Sequence, residues 1–455
     1  MIGNSAVLAR CTLSAACARP PLAPQRLFRL YSSETGGSQA DGSPGAGAGA
    51  GAGADSQTTA PNPGSSNEPA NEHKPAAAAT EGDAATNTTT TKSAASDGIR
   101  EVRTVDGPPN LYVFRLETFD PELPLVMREG HRLPVMERWF ERRRHGHVFT
   151  PRLSSHNQTV FPYELTDPGA RGPEAAPPLS EALPLPYVLT EFRNWLINRS
   201  NERYLPLMAL IAGLMDPSMA PQRAGGGEQG QEEKKDDGRL EFRQFYGPLG
   251  LLGRACEFNE TRRSPAERLQ RLYIAQAPVH SLPAPLGAFG VVGPGQAPGE
   301  GDLPTPGLVR GAGRGDVYGS SVWLGLEPTY TPPHRDPNPN LFCQLLGEKR
   351  VRLLPPARGD ALYARVLRDL GLQTANSRFR GPEMMGGAER EALERAVWSA
   401  GEAEAECKGD PELAEDMQQT VLRPGDSMFI PKGWWHSIRS NGAGVLNASV
   451  NWWFR

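Results

Sequence analysis

Thr331-Pro-Pro-His334-Arg-Asp336-Pro-Asn-Pro-Asn340-Leu-Phe342-Cys-Gln-Leu-Leu-Gly-Glu-Lys349 combines a His-x-Asp pair, a proline-rich turn and an apolar run leading to a lysine. Further on, Ile430-Pro-Lys-Gly-Trp-Trp435-His436 sets another histidine just after a Pro/Gly turn. Outward from these two segments, 321–326, 341–346, 349–354, 427–430 and 445–453 read as short β-type runs separated by turn residues. An insertion at about 357–419 interrupts them, and its 389–398 portion has strongly helical composition. Many short strands with one helical insertion predict a mainly β fold, a β-sandwich or a jelly roll such as a double-stranded β-helix.

His334 and Asp336 stand two apart at a strand, so they point to one face. His436 on another strand can complete the set. Two imidazoles and one carboxylate form the facial triad of non-haem Fe(II) oxygenases, which leaves coordination positions open for co-substrate and O2. A His-x-Asp pair alone carries little weight, since a hydrogen-bonded turn histidine is the commoner case.

The surrounding residues add to it. The 331–349 segment resembles the JmjC family of cupin-fold 2-oxoglutarate oxygenases. The similarity is to the small hydroxylase branch that includes the asparaginyl hydroxylase of hypoxia-inducible factor. The resemblance runs from about Tyr273 to the C-terminus. It implies Fe(II) on His334, Asp336 and His436, with 2-oxoglutarate as co-substrate and O2 as oxidant. Lys349, fifteen residues after His334, falls where the branch places the lysine that pairs with the distal carboxylate of 2-oxoglutarate. Thr331 and Asn340 fall where family members hydrogen-bond the same molecule, and Asn451, fifteen residues after His436, lies at a position near it in some members. Arg271-Leu-Tyr273-Ile-Ala-Gln276 resembles the family's upstream strand, whose tyrosine contacts that carboxylate. The chemistry is consistent: a dicarboxylate needs a cation and hydroxyl donors at the end away from the metal. From the residues alone, Lys349 is also readable as a strand-edge lysine, Tyr273 as a core aromatic and Asn451 as a buried strand amide. The tryptophans 434, 435, 452 and 453 read as core or as shielding around the metal.

Upstream, 190–199 has an amphipathic helix pattern and 159–165 a strand pattern. Segments 99–102 and 111–114 read as extended, and 132–144 and 262–270 as helical. The Pro/Gly-dense 281–315 reads as a long irregular connection, and the Gly-rich, charged 224–238 as an exposed mobile insertion. Arg142-Arg-Arg-His145-Gly-His147 is a basic cluster that reads as a solvated helix end, with an acidic substrate as the other option.

The 455 residues carry 50 glycines, 44 prolines and a net charge of −4, which gives no reason to expect nucleic acid as the main partner. None of the 5 cysteines forms a C-x-x-C pair, so a zinc ribbon or thioredoxin-type motif is excluded. No apolar run is long enough for a transmembrane helix. Residues 1–33 hold Arg10, Arg19, Arg26 and Arg29 among Ala, Ser and Leu, with no Asp, Glu or Lys, which is the composition of a mitochondrial transit peptide. Residues 34–97 are low-complexity Gly, Ala, Ser, Thr and Pro and predict a disordered linker. The expected organisation is then an N-terminal α/β flanking region with helices at 98–238 and a cupin-like catalytic domain at 239–455. The expected activity is hydroxylation of a C–H bond in a side chain of a protein substrate in the matrix. Two readings with the same chemistry, a tRNA-modifying hydroxylase and an N-methyl demethylase, stay open, as does a cupin-like module that binds metal or peptide without turnover. The 357–419 insertion, between the two halves of the metal site, is compatible with a lid or a dimer face.

Overall fold

The computed structural model describes residues 99–166, 183–199, 204–216, 242–288, 301–372, 388–398, 411–440 and 442–455, all within one unit, Ala85–Arg455. The expected transit peptide, the linker and the 224–238 insertion lie outside the described residues. In order along the sequence the upstream strands are β1 (Arg100–Glu101), β2 (Thr104–Asp106), β3 (Leu125–Arg128), β4 (Phe140–Arg142), β5 (His147–Phe149), β6 (Val160–Thr166), β7 (Phe242–Pro248) and β8 (Leu272–Pro278). They are followed by β9 (Val317–Leu326), β10 (Tyr330–Arg335), β11 (Asn340–Leu346), β12 (Lys349–Leu354), β13 (Gln418–Leu422), β14 (Ser427–Ile430), β15 (Trp435–Arg439) and β16 (Leu446–Phe454).

Two sheets form the frame. The smaller has the order β1-β13-β12-β15-β10, and the larger β2-β3-β14-β11-β16-β9-β8-β6-β7. Strands β9 to β16 supply four neighbours to each, β13-β12-β15-β10 and β14-β11-β16-β9, which is the jelly roll expected from the sequence. The upstream strands β8, β6 and β7 widen the larger sheet beyond β9 by antiparallel pairing.

Alternation along β16 shows how the larger sheet is built. Leu446, Ala448, Val450, Trp452 and Phe454 face away from the smaller sheet, into an apolar core shared with the helices Leu185–Asn198, Leu205–Met215 and Leu249–Glu260. Every large apolar group fully buried there contributes about 1.5–3 kcal/mol. The intervening Asn447, Ser449, Asn451 and Trp453 face the space between the sheets and are also buried. On β11 the same interior face carries Asn340, Phe342 and Gln344, opposite Trp453, Asn451 and Ser449 respectively. The jelly-roll interior is apolar at one level, around Val351, Leu353, Met428, Ile430 and Ile438, and polar at another. Buried amides and hydroxyls require partners, so a polar interior is suited to a polar occupant.

The helices of the insertion, Pro356–Asp369, Ala388–Trp398 and Pro411–Asp416, cover the outer face of the smaller sheet. Leu362, Val366, Leu393, Val397 and Trp398 pack there on Leu354 and Trp435. Arg352, fully buried on the outer face of β12, donates to the carbonyls of Val397 and Trp398 at 2.9 and 3.2 Å and so caps the end of the second helix.

Some local expectations are corrected. Segment 111–114 is helical, because Asn110 accepts from the Val113 N–H at 2.9 Å and starts a turn. Segment 132–144 is one helical turn, Val135–Arg138, followed by the β4–β5 hairpin, in which Phe140 pairs with Phe149. Segment 262–270 has only a 3-10 turn, Pro265–Glu267; Asn259 holds the Leu269 backbone through both its N–H and its C=O, and so keeps that stretch extended. The helix Leu249–Glu260 is hidden in the sequence by its glycines. A Cβ at Gly253 would lie 2.9 Å from the Phe149 ring, so this glycine serves close packing and does not break the helix.

Candidate metal and co-substrate site

His334, near the end of β10, pairs across the strands with His436 on β15, and Asp336 follows at once. Between Thr331 and His334 the register slips: three steps on β10 oppose two on β15, from Ile438 to His436. That bulge, at Pro332-Pro333, puts both Thr331 and His334 on the interior face, which strict alternation would forbid. The metal-binding atoms of His334, Asp336 and His436 all lie within 4.8 Å of one another. The two rings are 4.2 Å apart between centroids, and the carboxylate of Asp336 lies 3.9 Å from His334 Nε2 and 3.7 Å from His436 Nε2.

The surroundings fit a metal ion. The Nδ1 of His334 sits 2.9 Å from the carbonyl of Pro332, and that of His436 3.1 Å from the carbonyl of Trp434. A carbonyl only accepts, so each Nδ1 carries the proton and each Nε2 offers a lone pair toward Asp336. Burial, then the charge of His334, pushes His436 down to about 4, which keeps it a neutral ligand at physiological pH. Asp336 Oδ2 accepts from Asn340 Nδ2 at 3.0 Å and from Trp453 Nε1 at 2.8 Å, and these bonds fix the orientation of the carboxylate. The series of bonds continues: Asn451 Nδ2 donates to Asn340 Oδ1 at 3.1 Å, and Trp323 Nε1 to Asn451 Oδ1 at 2.8 Å. Asn340 and Asn451 therefore stand next to the triad and bear on it through Asp336.

Lys349 opens β12 and points inward among Phe342, Tyr273 and Ser449, with only 3% of its surface exposed. Its Nζ donates to Ser449 Oγ at 2.9 Å and, at the longer 3.4 Å, to the Tyr273 hydroxyl. Among the described residues no carboxylate lies within 4 Å of it. Burial pushes its pKa down to about 7, partly opposed by Glu327. A buried ammonium with two hydroxyls beside it and no ion-pair partner is a receptor for an anionic oxygen. Gly325 makes room for this arrangement, because a Cβ there would overlap the Tyr273 ring. Tyr273, Lys349 and Thr331 thus share the interior with the triad. Sequence reasoning misses Ser449, the tie from Trp453 to Asp336 and the role of Trp323. The signal available for them is the alternation Asn447, Ser449, Asn451, Trp453 within an otherwise apolar strand.

Comparison with known proteins gives the family. The cupin-like domain family matches residues 216–455, and the protein belongs to that family. Its curated relatives include JmjC proteins. It is 32% identical over 134 residues to Jumonji C domain-containing protein 5 of Drosophila melanogaster, covering 29% of this protein and 27% of the relative. It is 27% identical over 146 residues to Lysine-specific demethylase JMJ30 of Arabidopsis thaliana, covering 31% of this protein and 27% of the relative. With Lysine-specific demethylase 8 of Xenopus tropicalis the identity is 25% over 138 residues, covering 30% of this protein and 24% of the relative. Each match spans about a quarter of the relative's own length.

Proposed function

We propose that this protein is an Fe(II)- and 2-oxoglutarate-dependent dioxygenase that hydroxylates a C–H bond in a side chain of a protein substrate in the mitochondrial matrix. The observation that carries the reading is the triad His334, Asp336 and His436, the last two buried, sharing one interior with Lys349, a buried cation without a carboxylate partner among the described residues. Fe(II) on the triad, with 2-oxoglutarate and O2, supplies decarboxylation of the keto acid coupled to oxidation of a C–H bond. The protein's own residues do the rest. His334, Asp336 and His436 would hold the ion, and Asn340 and Trp453 hold Asp336 in place. Lys349, Tyr273, Ser449 and Thr331 receive the far carboxylate of the co-substrate. Phe342, Trp323 and Trp453 wall the site and exclude water, which strengthens each of these charged contacts. This chemistry requires no general base of the protein.

The names of the relatives favour a second reading, removal of an N-methyl group from lysine by the same hydroxylation. The Arg-rich, acid-free 1–33 segment argues for a matrix substrate over a chromatin one. Proteomics on matrix from cells lacking this protein tests both. Loss of a modification of one added oxygen supports hydroxylation, and accumulation of a methylated lysine supports demethylation. A change in hydroxylated nucleosides of mitochondrial tRNA with neither of these would overturn the protein-substrate reading. A cytosolic signal from residues 1–40 fused to a fluorescent protein would overturn the location.

A further inference from the structure

The fold buries a second charged group that the proposed reaction does not use. Glu327, in the turn after β9, is 5% exposed. Its Oε1 accepts from Asn447 Nδ2 at 2.6 Å, and its carboxylate also accepts from the backbone N–H of Gly442. The space around it is close-fitting: a Cβ at Gly347 would lie 2.9 Å from Oε1, and one at Gly442 would overlap Oε2. Asn447 donates as well to the Glu348 carbonyl at 3.2 Å and accepts from Gln344 Nε2 at 3.1 Å. On β16, Asn447 and Ser449 are neighbours on one face, so the donor that holds Glu327 stands beside the hydroxyl that receives Lys349. Among the described residues neither Glu327 nor Lys349 forms an ion pair within 4 Å. Burying an unpaired carboxylate and an unpaired ammonium within one network costs free energy unless each serves the other through space.

We infer that Glu327 is the resident counter-charge of Lys349, a carboxylate fixed behind the ammonium that keeps it charged while the co-substrate position in front is empty. It thereby sets the pH range over which the site accepts a carboxylate. This rests on reading the site as one for 2-oxoglutarate. The other ionisable groups around Lys349 do not compete for the role. Tyr273 is held neutral, because burial raises its hydroxyl. Glu348, next in sequence, has a largely exposed carboxylate paired with Arg423 at 3.0 Å. Glu164 lies beyond Tyr273, across from it on β6, and burial raises its carboxyl. Burial raises Glu327 as well, and the bonds from Asn447 and Gly442 and the charge of Lys349 act in the opposite direction. Glu327 is a positioning residue in this account, since it touches neither metal nor co-substrate.

The test is calorimetric binding of 2-oxoglutarate to the full-length protein loaded with Mn(II), from pH 5.5 to 9, for wild type, Glu327→Gln and Lys349→Met. Wild-type affinity is expected to fall with rising pH once Lys349 loses its proton. In Glu327→Gln that decline should begin about one pH unit lower, so that at pH 8 affinity is down by up to about tenfold while at pH 6 it stays within about twofold. Lys349→Met should show no such limb. Should Glu327→Gln fail to fold, Asn447→Ala, which leaves Glu327 in place but removes its shortest donor, must shift the decline in the same direction. Wild-type binding with an unmoved pH profile in the variant overturns the role of Glu327 alone. Absence of binding by the wild type overturns the reading of the site and this inference with it.

Discussion

Trp453 donates its indole N–H to Asp336 Oδ2 at 2.8 Å, from near the end of β16 to the carboxylate of the triad. The bond joins the larger sheet to the triad, whose two histidines stand on the smaller one, and both Trp453 and Asp336 are buried. Trp453→Phe keeps an aromatic ring and deletes the donor. Outer partners of metal ligands typically carry about 10–100-fold in metal affinity. Mn(II) binding followed by calorimetry should weaken by about that factor with the melting temperature of the metal-free protein little changed. Unaltered affinity would mean that Asn340 alone orients the carboxylate.

Lys349 gives the site a definite pH dependence. A carboxylate binds the ammonium form, and the bound anion in turn holds the proton on. Affinity for 2-oxoglutarate should therefore be full below about 7, the value to which burial lowers the free lysine, and should fall as pH rises through it, by at most about tenfold per pH unit. Lys349→Met should lower affinity at pH 6.5 by about 30-fold or more and flatten the profile. A wild-type profile that rises with pH would contradict the assignment.

A change at Gly325 is expected to separate metal binding from co-substrate binding. In Gly325→Ala the new methyl would overlap the Tyr273 ring, which must move away from Lys349. The expected result is weaker 2-oxoglutarate binding with Mn(II) affinity retained. Equal loss of both would indicate a general collapse of the interior.

Arg352 anchors the insertion to the smaller sheet. Arg352→Ala removes two charge-assisted bonds to the end of the helix Ala388–Trp398 and should cost about 3 kcal/mol. Urea denaturation with a lowered midpoint would show this. Because Trp398 Nε1 also donates to Ser437 Oγ, and Ser437 to the Thr331 carbonyl, co-substrate affinity should fall modestly too.

The triad and its lysine are legible in the sequence because they depend on short spacings, His334 to Asp336 and a strand-turn-strand interval to Lys349. The jelly roll is legible because its strands are short, alternating and separated by Pro and Gly. What the sequence hides are contacts between distant strands. Ser449 looks like any strand serine until β16 is laid beside β12 across the interior. Glu327 reads as a turn acid beside Pro328, and only closure of the turn by Gly442 and Gly347 buries it. The interior position of Thr331 depends on a bulge, which shifts face by one residue and leaves no periodic trace. The upstream differences have one cause. Segments 132–144 and 262–270 have helical composition, and tertiary partners, Phe149 and Asn259, hold them in other conformations.

The central claim is that the His334, Asp336 and His436 site couples 2-oxoglutarate to O2. Its most direct test is the amount of succinate formed from 2-oxoglutarate by the purified full-length protein with added Fe(II), in air and under argon, with mitochondrial matrix extract as the source of substrate. Wild type should form succinate in air and not under argon, and Asp336→Ala should form none above background in either. Succinate at the same level in wild type and Asp336→Ala, or none from a wild type that binds both Mn(II) and 2-oxoglutarate, would contradict the account.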